Sequence, residues 1–300
     1  MGIKLTWPSQ TAKGITGIEI YRAVGASSTI DRANLPAPLV TLTPGATTYE
    51  DNTVVNATVY NYWIASVKNG ERVFCFTLQQ GYFLDTGPGP QSLLMGDWDT
   101  GYFGRVSNTD LFDYLSLNAA LGTNVTTESP NYWNKFIFQN RILFIPDKRL
   151  GALSYQQLYS FGVAYGTDDS GSIVPTGAAT RNQRRVVARD GRNYVVRLPR
   201  GAKYSSAGGV DQTTESVLLQ GEWRNVIERM FRNGSGTYPR FGEIAVDTTN
   251  GVTEAHSCIF GVLYSTTVGV RAVGSSPHTV GTINVTTVGS YQLVLELVIP

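Results

Sequence analysis

Apolar side chains recur in this chain with a period of two, in short runs closed by Gly, Pro or Asn. That pattern excludes helix-rich architectures. The run from Thr58 to Val67 is the clearest case, presenting Tyr60, Tyr62 and Ile64 on one face and Trp63, Ala65 and Val67 on the other. Ile3-Lys4-Leu5-Thr6-Trp7 alternates in the same way and is stopped by Pro8, which has no N–H to give a ladder. Gly17-Ile18-Glu19-Ile20-Tyr21-Arg22, Leu39-Val40-Thr41-Leu42 and Thr48-Tyr49-Glu50-Asp51 continue the series. Lys68-Asn69-Gly70-Glu71 then reads as a hairpin turn into Arg72-Val73-Phe74-Cys75-Phe76. Only 16% of residues are charged, and abundant Gly, Thr, Tyr, Val and Ser suit strands joined by tight turns.

Three hundred residues exceed the needs of one small sandwich, so two domains are expected. The strongest punctuation is Thr86-Gly87-Pro88-Gly89-Pro90, which can continue neither a helix nor a ladder. The expected layout is a β-sandwich over 1–85, a Gly/Pro linker over 86–90 and a larger α+β domain over 91–300. In the second domain, Asn108-Thr109-Asp110 offers a helix cap before Leu111-Phe112-Asp113-Tyr114-Leu115. Ser154 offers another before Tyr155-Gln156-Gln157-Leu158-Tyr159. Trp133 to Phe138 and Arg141 to Pro146 flank a tight turn at Gln139-Asn140, and Asp190-Gly191 turns between Val186-Val187-Ala188 and Tyr194 to Leu198.

The first part resembles a fibronectin type III module. The likeness rests on Leu5-x-Trp7, Gly17 to Arg22, Tyr49-x-Asp51 and Tyr60-x-Tyr62-x-Ile64-x-Ser66-Val67. It covers a little over a quarter of the chain and implies a seven-stranded antiparallel sandwich. Trp7 would lie in its core, and Tyr60 or Tyr62 would make the tyrosine corner. Such modules carry no chemistry of their own and serve as spacers or binding surfaces. The second part resembles tailed-phage virion proteins with a C-terminal C-type-lectin-like or formylglycine-generating-enzyme-like fold. This likeness is carried by Trp133-x-Lys135-Phe136, Ile142 to Pro146, Leu153-Ser154-Tyr155-x-x-Leu158-Tyr159, Gly162-Val163-x-Tyr165-Gly166, Tyr194 to Pro199, Gly221-Glu222-Trp223 and Tyr291 to Leu297. In the wider fold, Arg-Leu-Pro is followed almost at once by Glu-Trp. Here a long insertion containing Ser205-Ser206-Ala207-Gly208-Gly209 separates Pro199 from Glu222, so no binding site is carried across.

Chemistry is thinly supplied. His256 and His278 sit in no metal-ligand or nucleophile pattern. Cys75 and Cys258, far apart in apolar runs, read as buried thiols. The formylglycine-generating enzymes need cysteines acting together, and Cys258 stands alone in its domain. Asp97-Trp98-Asp99 and Asp168-Asp169-Ser170-Gly171 read as turns ahead of fragments of calcium loops. Trp223, Val226, Ile227 and Met230 fall at helical spacing and read as core. We expect no catalytic residue, no cofactor and no metal.

Charge is most uneven between Arg181 and Lys203, where eight cations face Asp190 alone although the whole chain carries +1. Arg181, Arg184, Arg185, Arg189 and Arg192 are therefore the candidate interaction surface. Nucleic acid would need them on one face among stacking aromatics, and only Tyr194 and Tyr204 are near. Strand alternation sends neighbouring arginines to opposite faces, which favours carboxylates of adjacent subunits or a solvated face.

The expected protein is a non-enzymatic structural component of a tailed-phage virion, in the tail, the collar or on the capsid surface. Its partners would be copies of itself and other virion proteins, without nucleic acid or membrane insertion, after assembly in the host cytoplasm. One alternative is a glycan- or receptor-binding adhesion protein of the phage tail, for which exposed tyrosines would suit. A second is a carbohydrate-active enzyme with a fibronectin-like accessory module, although nothing singles out a carboxylate pair. No apolar run is long enough to span a bilayer, and Met1 to Gln10 lacks a signal-peptide core. Met1-Gly2-Ile3-Lys4-Leu5-Thr6 fits a myristoylation pattern but reads better as a strand. The sequons at Asn56, Asn124, Asn233 and Asn284 are of the kind expected by chance in a Thr-rich chain.

Overall fold

The alternation of Ile3 and Leu5 with Lys4 and Thr6 becomes an edge strand with its apolar side chains buried and its polar ones exposed. The structure, a computed structural model, describes residues 2–201, 220–230, 241, 259–260, 265–272 and 280–299. It divides into two units, Met1–Thr86 with Asp97–Asp99, and Gly87–Gly96 with Thr100–Pro300. Among the described residues strands far outweigh helices, as expected.

The first unit contains β1 (Ile3–Thr6), β2 (Gly17–Val24), β3 (Val40–Leu42), β4 (Thr48–Asp51), β5 (Thr58–Lys68), β6 (Glu71–Phe74) and β7 (Leu78–Tyr82). All pairings are antiparallel. β1 pairs with β4, and a second sheet runs β3-β2-β5-β6, with β7 also on β5. The two sheets bury Ile3 and Leu5 against Ile18, Ile20, Tyr60, Tyr62 and Ile64. Each such aliphatic side chain contributes about 1.5–3 kcal/mol relative to leaving it exposed. The opposite face of β5 carries Trp63 and Ala65, which pack with Tyr21 under Ile30 and Leu35. Period two thus splits β5 between two cores. Asn69 and Gly70 both take positive φ, 51° and 85°, as a tight primed turn requires. Tyr60 makes the tyrosine corner, its hydroxyl accepting from the Val55 amide at 2.8 Å. Tyr62 instead donates to Asp51 at 2.8 Å. Trp7 lies at the rim of the core, half-buried, with its indole N–H on the Ala46 carbonyl at 2.8 Å. Cys75 is a free, half-buried thiol, where full burial was expected.

The second unit contains β8 (Met95–Gly96), β9 (Thr100–Ser107), α1 (Tyr114–Leu121), β10 (Tyr132–Phe138), β11 (Arg141–Pro146), β12 (Gly151–Ser154), α2 (Tyr155–Phe161), β13 (Arg185–Arg189), β14 (Arg192–Arg197), β15 (Ile259–Phe260), β16 (Val268–Ala272), β17 (Val280–Asn284), β18 (Val288–Tyr291) and β19 (Val294–Leu297). Its main sheet runs β13-β14-β19-β11-β10-β9-β8, and a second runs β12-β18-β15-β16-β17. The closing apolar segment serves both: β18 belongs to one sheet and β19 to the other, with Gln292-Leu293 crossing between. Gln139 and Asn140, at φ 47° and 64°, turn β10 into β11 as expected. One face of the main sheet packs Tyr102, Phe136, Leu143 and Val294 against Trp223, Val226, Ile227 and Met230. Those last four sit on a π-turn at Trp223–Ile227 and a 3-10 turn at Glu228–Met230.

Two expectations are corrected here. Helix α1 starts later than expected, because Asp113 caps it in a reciprocal box with Ser116. Asn108-Thr109-Asp110 precedes a non-helical lead in which Leu111 and Phe112 are buried. Ser154 does cap α2, with Gln157 reaching back. The segment 87–90 is also no free spacer, because it is built into the second unit. The buried Lys135 ammonium donates to the Gly87 carbonyl at 3.3 Å and the Pro90 carbonyl at 2.7 Å. Gly87 and Gly89 take φ near +80°, and a Cβ at either would strike Phe144 or Val106, at 2.8 and 2.5 Å. Glycine is required there twice over.

Candidate interaction surface

The hairpin β13-β14 forms one edge of the main sheet and carries most of the candidate arginines. Its register pairs Arg185 with Val196, Val187 with Tyr194 and Arg189 with Arg192. Arg185, Arg189 and Arg192 therefore share one face with Val187 and Tyr194, while Val195 and Arg197 point to the other. The expectation that alternation would scatter the arginines fails for these three, since their spacing is even along β13 and the turn preserves it.

Most of that charge is spent inside the unit. Arg185 donates to the carbonyl of Leu121, the last residue of α1. Arg181 donates to the carbonyl of Ser160, in the last turn of α2. Neither helix has a basic residue of its own in its last turn, so cations from the β13 region occupy both negative helix ends. Gly162, at the α2 C-cap with φ +79°, leaves room for the Arg185 stem; a Cβ there would meet its Cγ at 3.3 Å. Arg189 donates to the Thr109 carbonyl at 2.6 Å, lies 5.8 Å over the Phe112 ring and pairs with Asp190 at 3.7 Å. Phe112 in turn meets Tyr194 edge-on at 6.2 Å. Arg184 is exposed and Arg192 half-exposed. Lys203 and Tyr204 lie outside the described residues, as do His256, Cys258 and His278.

Arg197, counted in the same basic run, is fully buried. Its guanidinium grips Glu222 bidentately at 2.8 and 2.6 Å and reaches Glu296 at 2.7 Å. Arg200 donates its amide to Glu222 at 2.9 Å, and Arg141 stands 4.0 Å from the same carboxylate. Burial alone would raise the Glu222 pKa, but Arg197 and Arg200 outweigh it and hold the carboxyl below its ordinary range. The signal for this cluster is an arginine inside the apolar run Tyr194 to Pro199. Counting charge along the chain could not tell it from its exposed neighbours. The Arg197-Leu198-Pro199 and Glu222-Trp223 elements thus meet in space despite the insertion between them.

No family model, curated protein or solved structure matches this chain.

The acidic motifs form turns. Asp97 accepts from the Asp99 amide at 2.9 Å, and Asp169 accepts from the Gly171 amide at 2.8 Å and the Thr167 hydroxyl at 2.5 Å. Burial raises the pKa of Asp99 and of Asp147. Asp147 has both oxygens taken up by Asn131, at 2.9 and 2.8 Å. Asp97 and Asp169 thus close local turns, and Asp147 ties its loop to Asn131, sixteen residues away.

Proposed function

We propose that this chain is a structural component of a tailed-bacteriophage virion, working through contacts with copies of itself and with other virion proteins in the tail, the collar or at the capsid surface. The observation that carries the reading is how the cationic segment is used. Arg181, Arg185 and Arg189 bind carbonyls at or near α1 and α2, and Arg197 ties Glu222 to Glu296. Charge deployed to brace elements against one another suits a part that works by holding its shape. The likeness of the first unit to fibronectin type III spacers and of the second to phage virion proteins supports the same reading. Arg184, exposed just before the edge strand β13, is placed to meet a neighbouring subunit, where arginine is favoured.

The test is to locate a tagged copy in purified particles by cryo-electron microscopy. Symmetric copies packed among other virion proteins are expected, and absence from the particle overturns the proposal. A free distal position with glycan binding would replace it with the adhesion reading. Specific polysaccharide turnover would replace it with the enzymatic one.

A further inference from the structure

Strand β6 ends its sheet, and among the described residues no strand pairs with its outer side. The Cys75 amide donates to the Ile64 carbonyl at 2.9 Å, and Val73 and Glu71 stand opposite Ser66 and Lys68. Antiparallel pairs alternate, so Glu71 and Val73 turn their backbone groups toward β5, whereas Arg72 and Phe74 turn theirs outward. Beyond Phe74 the edge is interrupted at Cys75-Phe76-Thr77 before β7 resumes against β5. Strand β6 contains no proline to blunt it. Val73 and Phe76 beside this edge are 72% and 77% exposed.

A groove lies on each side of the edge. One, about 760 Å³, is lined by Tyr21, Arg32, Leu35, Pro38, Arg72 and Phe74 among others. The second, about 350 Å³, is lined by Trp7, Lys13, Ile64, Val73, Phe76 and Leu78 among others. Strand addition needs this combination: outward backbone groups for affinity, and recesses on both faces for alternate side chains. The charge is one-sided, because the linings contain Arg32, Arg72 and Lys13 and no carboxylate. Arg72 is already held by Glu19 at 2.6 and 2.9 Å. Arg32 is exposed, with its guanidinium 5.1 Å over the Phe74 ring.

We propose that β6 is a strand-addition site for an extended acidic segment of another protein, pairing with the backbone of Arg72 and Phe74. A carboxylate on the segment faces Arg32, and an apolar side chain enters the groove between Trp7 and Phe76. A second copy of β6 is the poorer occupant, since pairing about Val73 would bring Arg72 of each chain diagonally toward the other. The inference is independent of the particle assignment.

The probe is a synthetic peptide alternating glutamate with valine, titrated into the full-length chain beside a counterpart alternating lysine with valine. Expected is saturable binding of the acidic peptide that weakens with salt, with slowed amide exchange at Arg72 and Phe74. The lysine peptide should bind at least tenfold more weakly, and Arg32→Glu should reverse the preference while the thermal melt stays unchanged. Phe74→Ala serves as a second variant, thinning one groove without reversing charge, and should weaken binding severalfold. Equal binding of both peptides, no binding of either, or protection elsewhere overturns the proposal. Self-association abolished by Val73→Lys would overturn the choice of occupant.

Discussion

The two units bury opposite charges at their centres. In the first, the centre is a carboxylate: Asp51, with no exposed side-chain surface, collects Arg22 at 2.6 Å, Tyr62 at 2.8 Å, and the Thr53 hydroxyl and amide at 2.7 and 3.0 Å. In the second, the centre is a guanidinium, Arg197, which collects Glu222 and Glu296. Two of Asp51's donors lie within two residues, so a local turn does much of the work. Arg197 reaches carboxylates 25 and 99 residues away. The same physical rule, that a buried charge must be paired and hydrogen-bonded, therefore produces a turn in one unit and a cross-tie between distant segments in the other.

Removing the cross-tie should have the largest effect. Arg197→Met leaves Glu222 buried without its partner and should destabilise the second unit by about 3–5 kcal/mol. Amide exchange in β14 and β19 should accelerate while β2 and β5 keep their protection. Adding Glu222→Leu should recover more than half of the loss, because the pair replaced by apolar groups no longer leaves a stranded charge. If the double variant is no better than the single one, Arg197 acts through packing alone.

Asp51→Ala should come next, at about 2–3 kcal/mol, since several buried donors lose their acceptor. The smaller figure reflects Arg22, whose side chain is 21% exposed and can turn to water. Chemical denaturation followed by exchange in β2 and β5 would measure it. Tyr62→Phe should cost less than Asp51→Ala, because Asp51 keeps its other donors.

Acidification tests the same contrast without mutation. Burial raises the Asp51 pKa, but donors from Thr53, Tyr62 and Arg22 outweigh it, so the net shift is downward. Glu19 is likewise lowered, chiefly by the Arg72 hydrogen bond. A carboxyl lowered by folding contributes stability that is full above its unfolded value, about 4, and is lost as pH falls through the folded one. The first unit should therefore hold its thermal midpoint above about pH 5 and lose it steadily below about pH 4. Asp51→Asn should flatten that loss, and an unchanged slope would show that other groups govern it.

The first unit was the more legible of the two. Its strands alternate cleanly, so Tyr60, Tyr62 and Ile64 could be placed on one face and Trp63 and Ala65 on the other from spacing alone. The tyrosine corner stayed open between Tyr60 and Tyr62 because both share that face, and only the Val55 amide separates them. In the second unit, turn chemistry at Gln139-Asn140 and Asp190-Gly191 was readable, since tight turns declare themselves locally. Lys135 was not, because its partners are backbone carbonyls of a Gly/Pro run that reads as a spacer. The arginines misled for a related reason. Charge counting treats each as a solvent-facing cation, whereas a helix end or a buried carboxylate brought close by tertiary folding decides where each one goes.

The helix ends provide the smallest and most discriminating effect. Arg185 and Arg181 meet the last turns of α1 and α2, where a cation contributes about 0.3–1 kcal/mol through the dipole and the free carbonyls. Arg185→Ala should destabilise the second unit by roughly that amount and fray α1 from its C-terminal turn, seen as faster exchange at Gly122 and Thr123, whose amides bond to Ala119 and Asn118. Arg185→Lys should restore most of the stability, because a second cation can reach the same carbonyl. Arg184→Ala, an exposed neighbour, should leave both the stability and the α1 exchange within error. A loss at Arg184 equal to that at Arg185 would show that the segment acts as a diffuse basic field. The contrast between a charge used inside the unit and one left for a neighbouring protein would then disappear.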